Sequence, residues 1–117
     1  MATIELTDAN FSEVTSGEGI VLVDFWADWC IPCKRFAPTY ERVSELHPDV
    51  VFGKLDTEAN PATQAEFQIR TIPTIMIIRD GVLVHQEAGV MPQSKLEAYI
   101  KQVRELDMDE VRAKLAA

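Results

Sequence analysis

Ile20-Val21-Leu22-Val23-Asp24-Phe25-Trp26-Ala27-Asp28-Trp29-Cys30-Ile31-Pro32-Cys33-Lys34-Arg35-Phe36 holds both the fold and the chemistry of this chain. From Ile20 to Trp26 the run is apolar except for Asp24, the pattern of a strand buried on both faces, as in parallel sheets. Beyond the cysteines, Phe36, Tyr40, Val43 and Leu46 recur at helical spacing up to His47-Pro48. The cysteines therefore stand where a strand hands over to a helix. Cys30 falls at or near the helix N-cap, where unpaired amides and the helix dipole favour a thiolate. Pro32 suits the first turn, because its missing N–H would have no intrahelical partner there. Cys33, one turn further in, is expected beneath Cys30 and less accessible. That difference gives Cys30 the attack on a disulfide and Cys33 the resolving step. Lys34 and Arg35 add positive charge nearby as solvated helix residues.

Cys30 and Cys33 are the only cysteines, in a C-x-x-C arrangement. A structural zinc site wants four Cys or His ligands. The remaining soft ligands, His47 and His85, fit none of the compact finger spacings. An iron–sulfur cluster wants four thiolates, which one chain lacks but a bridged dimer of two pairs would supply. Covalent haem attachment needs His after the second cysteine, where this chain has Lys34. A purely structural disulfide would close so short a loop that it would stabilise little. The pair is read as a dithiol cycling between reduced and oxidised states, with no resident metal.

Outward from this segment, 117 residues fit a single domain, and 47% hydrophobic against 26% charged is a globular balance. Eleven basic against nineteen acidic residues leave 11 − 19 = −8, which argues against nucleic acid and anionic membrane surfaces as partners. No apolar stretch approaches the roughly 20 residues of a membrane span. The N-terminal residues Met1-Ala2-Thr3-Ile4-Glu5-Leu6-Thr7-Asp8 show neither a basic region nor an apolar one, so the expected compartment is the cytoplasm.

Thr3–Leu6 is a short β-prone start, and Asp8-Ala9-Asn10-Phe11 reads as a capped helix opening with Phe11 and Val14 on one face. Pro38 lies inside the long helix and should kink it. Residues 50–55 read as a second buried strand. A short helix from Pro61 is expected to bury Ala65 and Phe67. Thr74–Arg79 and Val82–Ala88 flank Asp80-Gly81, a strong hairpin signal. Pro92-Gln93-Ser94 opens a helix carrying Leu96, Tyr99, Ile100 and Val103. Beyond Arg104, Asp107 and Glu110 suggest a capping box for a short extra helix with Met108, Val111 and Leu115 on one face. The order is βαβαβ, then α, a hairpin and α. It predicts an α/β fold with a mixed central sheet, helices on both faces, and active groups where strand ends meet helix starts.

The segment Asp24 to Lys34 resembles the active-site segment of the thioredoxin family. The likeness continues through Pro38, Lys54-Leu55-Asp56, Ile72-Pro73-Thr74, Asp80-Gly81 and Gly89, covering the chain from about Thr3 to Val103. It implies a single-domain thioredoxin fold over residues 1–104, followed by a helical extension over 105–117. The implied activity is protein-disulfide reduction on disulfide-containing client proteins by a monomer without a bound cofactor. NADPH would recharge the dithiol indirectly through a flavoprotein, thioredoxin reductase. Asp24 becomes a buried proton acceptor for Cys33, because desolvation raises a carboxyl pKa, and Lys54 tunes its titration. Ile72-Pro73 becomes a cis peptide packed against the dithiol. Trp29, Ile31, Pro32, Ile72, Pro73, Gly89 and Val90 become an apolar shelf for extended polypeptide, with Trp26 packing beneath. Two departures stand out: Ile31 and Thr71 both occupy positions where the family usually has glycine. A second reading keeps the shelf but not the turnover, making the chain a client-binding holdase.

Overall fold

A computed structural model describes residues 2–117; Met1, the first residue of the expected domain, lies outside them. Five strands form one sheet in the order β1-β3-β2-β4-β5, from β1 (Thr3–Leu6), β2 (Ile20–Trp26), β3 (Val51–Asp56), β4 (Thr74–Arg79) and β5 (Val82–Ala88). β3 runs parallel to both β1 and β2, whereas β4 is antiparallel to β2 and to β5. α1 (Phe11–Thr15), α2 (Ile31–Leu46), α3 (Pro61–Glu66), α4 (Gln93–Arg104) and α5 (Met108–Ala116) complete the chain. The architecture is the mixed α/β sheet of the thioredoxin fold.

Alternation along β2 explains why its run is apolar throughout. Ile20 and Leu22 join Phe36, Tyr40 and Val43 of α2 and Leu96, Ile100 and Val103 of α4 in one core. Val21, Val23 and Phe25 join Leu6, Phe11, Leu55 and Ile69 in the core on the opposite face. A strand with a core on each side has no solvent face for polar residues. Asp24 lies inside that strand all the same. At the hairpin, Asp80 (φ 52°) and Gly81 (φ 80°) both take the left-handed conformation that a two-residue turn of this hand requires.

Several local expectations are corrected. α2 contains Pro38 and runs to Leu46, but Leu46 is 55% exposed, because the inward stripe of the helix passes through Phe36, Tyr40, Val43 and Ser44 and Leu46 turns off it. Phe67, just past α3, packs half-buried against the core as expected, its ring 5.3 Å from that of Phe11, but within the helix Ala65 is exposed and the buried residue is Thr63. Asp8 draws that face inward by accepting hydrogen bonds from the Thr63 amide (2.8 Å) and hydroxyl (2.6 Å). Asn10 gives α1 no side-chain cap; its Oδ1 turns back to accept from the Thr7 amide at 2.7 Å.

At α5, Asp107 accepts from the Glu110 amide at 3.2 Å, the forward half of the expected capping box. Met108 is buried and Val111 half-buried, but Leu115 stands 67% exposed, so the apolar stripe runs past its support. Arg79 ties the α4–α5 connection to the hairpin by donating to the carbonyls of Val103 (2.7 Å), Arg104 (3.2 Å) and Leu106 (2.8 Å). Among the described residues no helix is long and apolar enough to cross a membrane.

Candidate active site

β2 ends at Trp26 and α2 begins at Ile31, so four residues carry the chain from sheet to helix. Cys30 is the N-cap of α2, with extended backbone (φ −88°, ψ 106°), and its sulfur accepts a hydrogen bond from the Cys33 amide at 3.2 Å. This is the side-chain-to-amide bond that Ser or Asp makes at an ordinary helix start, with sulfur in the oxygen's place. Pro32 sits in the first turn, where its lack of an N–H leaves nothing unpaired. Cys30 and Cys33 are joined as a disulfide, with their Cα atoms 5.3 Å apart.

One expectation fails here. Cys33 is no less accessible than Cys30: each is 3% exposed in the oxidised pair. Ala27 shares one buried cluster with the two cysteines, Trp26 and Ile72 pack against that cluster, and the covalent bond joins the two sulfurs within it. What distinguishes them is place, since Cys30 precedes the helix and Cys33 lies within its first turn. On the open side, the Cys30 sulfur is 3.7 Å from the Ile72 carbonyl oxygen. The Ile72–Pro73 peptide is cis.

Asp24 is 1% exposed, and neither carboxylate oxygen has a hydrogen-bond partner. Burial pushes its pKa up to about 7, opposed by the positive charge of Lys54. The two residues face each other across the β2–β3 rung, and Lys54 Nζ also lies 5.1 Å over the Trp26 ring. Sequence reasoning treated Tyr40 only as core. Its hydroxyl is fully buried and donates to the Gly53 carbonyl at 2.8 Å, one residue from the Asp24–Lys54 rung. Burial, and then the Asp24 charge, push the Tyr40 pKa well above the usual phenol range. The available signal was a phenol hydroxyl in the largely apolar stripe of α2, which also buries Ser44.

The expected shelf residues gather at the same end of the sheet. Trp29 (66% exposed), Ile31 (63%) and Val90 (50%) form its surface, with Pro32 also exposed. Ile72 is half-buried against the cysteines, while Pro73 is buried and backs the shelf rather than forming it. Gly89 adopts φ +107°, which a side chain would strain, and its amide donates to the Pro73 carbonyl at 2.8 Å. Thr71 is exposed beside Ile72, and its carbonyl accepts from the buried Thr74 hydroxyl at 2.5 Å. The β2–α2 and α3–β4 connections thus meet at the sulfur pair, and the β5–α4 connection joins them through the Gly89–Pro73 bond.

Comparison with known proteins agrees with this geometry. The sequence profile of the Thioredoxin family matches residues 2–102. A Streptomyces coelicolor protein whose name places it among thioredoxins is 50% identical over 115 residues, covering 98% of this chain and 86% of that protein. A thioredoxin of Alicyclobacillus acidocaldarius is 45% identical over 103 residues (87% of this chain, 98% of its own), and one of Bacillus subtilis is 38% identical over 101 (86% and 96%). A profile spanning most of the chain, relatives aligned over nearly their whole length, and a vicinal cysteine pair bridged at a helix start lead to one conclusion: the chain belongs to the thioredoxin family and is a thiol-disulfide oxidoreductase whose redox-active disulfide is Cys30–Cys33.

Proposed function

We propose that this oxidoreductase works as a cytoplasmic monomer in the reducing direction, with Cys30 as nucleophile, Cys33 as resolving thiol, Asp24 as proton acceptor and Lys54 tuning it. The observation that carries the reading is the N-cap position of the Cys30 sulfur, held by the Cys33 amide at 3.2 Å. A thiolate there is stabilised by the amide and by the positive end of α2. It attacks a client disulfide, forming a mixed disulfide and releasing the first client thiolate. Cys33 then loses its proton toward Asp24 and displaces Cys30 from the client, releasing the second client thiolate and restoring the internal disulfide. Two electrons pass from the dithiol to the client. NADPH returns them through a flavoprotein thioredoxin reductase.

Trp29, Ile31 and Val90, exposed around sulfurs that are themselves covered, suit capture of extended apolar polypeptide, with Pro32, Ile72, Pro73 and Gly89 completing and backing that shelf. The same exposure is what supports the holdase reading. An NADPH-coupled assay with a thioredoxin reductase separates the two. Steady NADPH oxidation dependent on both this protein and insulin is the expected result; aggregation suppression without NADPH consumption would favour the holdase.

Residues 1–104 are taken as the catalytic unit and 105–117 as an accessory extension. The Arg79 clasp reaches Leu106, so the informative truncation ends there. Deleting residues 107–117 is expected to leave insulin reduction within about twofold and to lower stability by about 1–3 kcal/mol, chiefly through loss of the buried Met108 contacts. Parallel urea melts and activity assays check both figures.

A further inference from the structure

One polar cluster at the end of β5 takes no part in the exchange steps above. Glu87 accepts a hydrogen bond from the Tyr99 hydroxyl at 2.5 Å, pairs with Lys95 Nζ at 2.6 Å, and meets His85 Nε2 at 3.2 Å. The His85 ring lies against Tyr99 with centroids 4.3 Å apart. Lys95 and Tyr99 stand four residues apart on α4, so a single carboxylate grips one face of that helix over a full turn. β5 needs such a grip, because it is an edge strand and, among the described residues, its one ladder is with β4.

Between the gripped strand and the gripped helix run only Gly89, Val90, Met91 and Pro92. Met91 is 2% exposed and pinned in the core, Gly89 donates to the Pro73 carbonyl, and Val90 is left half-exposed on the shelf. With so short a connection, the position of Val90 follows from how its two ends are held. α4 itself stays docked through Leu96, Ile100 and Val103, which lie in the core and do not depend on Glu87. Loss of the cluster would therefore loosen the connection without unfolding the helix, since half-exposed ion pairs contribute little to global stability.

We propose that Glu87 is a positioning residue for client capture: by clasping the first turns of α4 to the end of β5, it fixes Gly89 and Val90 against Ile72–Pro73, so that a protein disulfide is presented to Cys30. The inference rests on the reading of Val90 as part of the client shelf. It predicts an effect confined to macromolecular substrates, because a small aromatic disulfide reaches the sulfur without the shelf. Modest displacement of a positioning contact is enough to change binding of the larger substrate severalfold.

The test compares Glu87→Ala, Glu87→Gln, Val90→Asp and, as a control, Asp49→Ala, which removes the Arg104 fork (2.5 and 3.0 Å) at the other end of α4. Insulin and 5,5′-dithiobis(2-nitrobenzoate) serve as the large and small disulfides, and amide exchange at Gly89 reports the contact with Pro73. Glu87→Ala is expected to raise the insulin KM about threefold, leaving kcat and the small-disulfide rate unchanged. It should also speed Gly89 exchange about tenfold. Glu87→Gln should recover part of both effects, because its carbonyl oxygen still accepts from Tyr99, and Asp49→Ala should move neither. A raised insulin KM in Val90→Asp with no change in Glu87→Ala would overturn the inference and leave the shelf standing. Equal losses on both disulfides, or the same losses in Asp49→Ala, would reduce the cluster to a general structural role. If Val90→Asp also left the insulin KM unchanged, the shelf reading would fall and the inference with it.

Discussion

Cys30→Ser abolishes insulin-disulfide reduction, and Cys33→Ser leaves a protein that captures one client molecule and stops. The first effect is at least about 10³-fold, because a serine hydroxyl at the N-cap stays protonated at neutral pH and oxygen cannot enter disulfide exchange. The helix start makes the difference between the two positions. Its dipole and free amides favour an adjacent anion by about 0.3–1 kcal/mol, up to about 2 when partly buried, and the Cys33 amide already points at the Cys30 sulfur. In Cys33→Ser that thiolate still attacks, but nothing displaces it, so one client per chain accumulates as a mixed disulfide visible on a non-reducing gel. The assignment cannot rest on accessibility, since the two cysteines are equally covered in the oxidised form. Catalytic turnover retained by either single variant would remove the ground for the assigned roles. A reversed trapping pattern, with client held by Cys33, would exchange them.

The strand–dithiol–helix segment was legible because each part obeys a local rule. Continuous apolar residues require burial on both faces, helical spacing begins after the cysteines, and proline falls in a first turn. The hairpin was legible for the same reason, as Asp80-Gly81 supplies two residues able to take positive φ. What could not be read was which of two neighbouring helix positions the packing would choose. Leu46 follows Val43 by three residues, yet the buried stripe of α2 turns to Ser44 and leaves Leu46 exposed. Phe67 packs inward as its spacing suggests, but Ala65 is left exposed, because Asp8, distant in sequence, bonds Thr63 and that residue takes the buried place. The equal cover of the two cysteines goes with their bond and with Trp26 and Ile72 packing against their cluster, and no spacing encodes either. The packing of Ile72 on the dithiol, and the bond of Gly89 to Pro73 beside it, were available only through family resemblance, because they depend on separate connections meeting at one end of the sheet.

Asp24→Asn should separate the stability of this fold from its chemistry. In the native chain, burial lifts the carboxyl pKa from the ordinary 3.8 to about 7, with Lys54 offsetting part of the rise. Between about pH 4 and pH 7 the native carboxyl keeps a proton that the unfolded chain has already released. Protons bound by the native state exceed those bound by the unfolded state across this window, so stability falls as pH rises and levels off above the native pKa. At 1.36 kcal/mol per pKa unit, the ionised form destabilises the fold by about 4 kcal/mol at pH 8 relative to the protonated one. Asparagine stays neutral throughout. The variant should therefore match the parent near pH 4.5 and exceed it by several kcal/mol at pH 8, less the penalty of burying an amide whose partners are also lacking. Asp49 and Glu87, whose pKa values are held down to about 2, slope the other way at lower pH, and their contributions cancel in the difference between the two proteins. Activity should move in the opposite direction: the resolving step, deprived of its proton acceptor, slows about 10²-fold near pH 7 and loses its dependence on a group titrating there. Urea midpoints from pH 4.5 to 8 and single-turnover decay of the mixed disulfide measure the two halves separately. A parallel stability profile in both proteins would mean that Asp24 is not ionising in a dry site. A steeper profile in the variant would contradict the sign of the linkage itself. An unchanged decay rate with the stability gain intact would leave the carboxylate buried and titrating but remove it from the proton transfer.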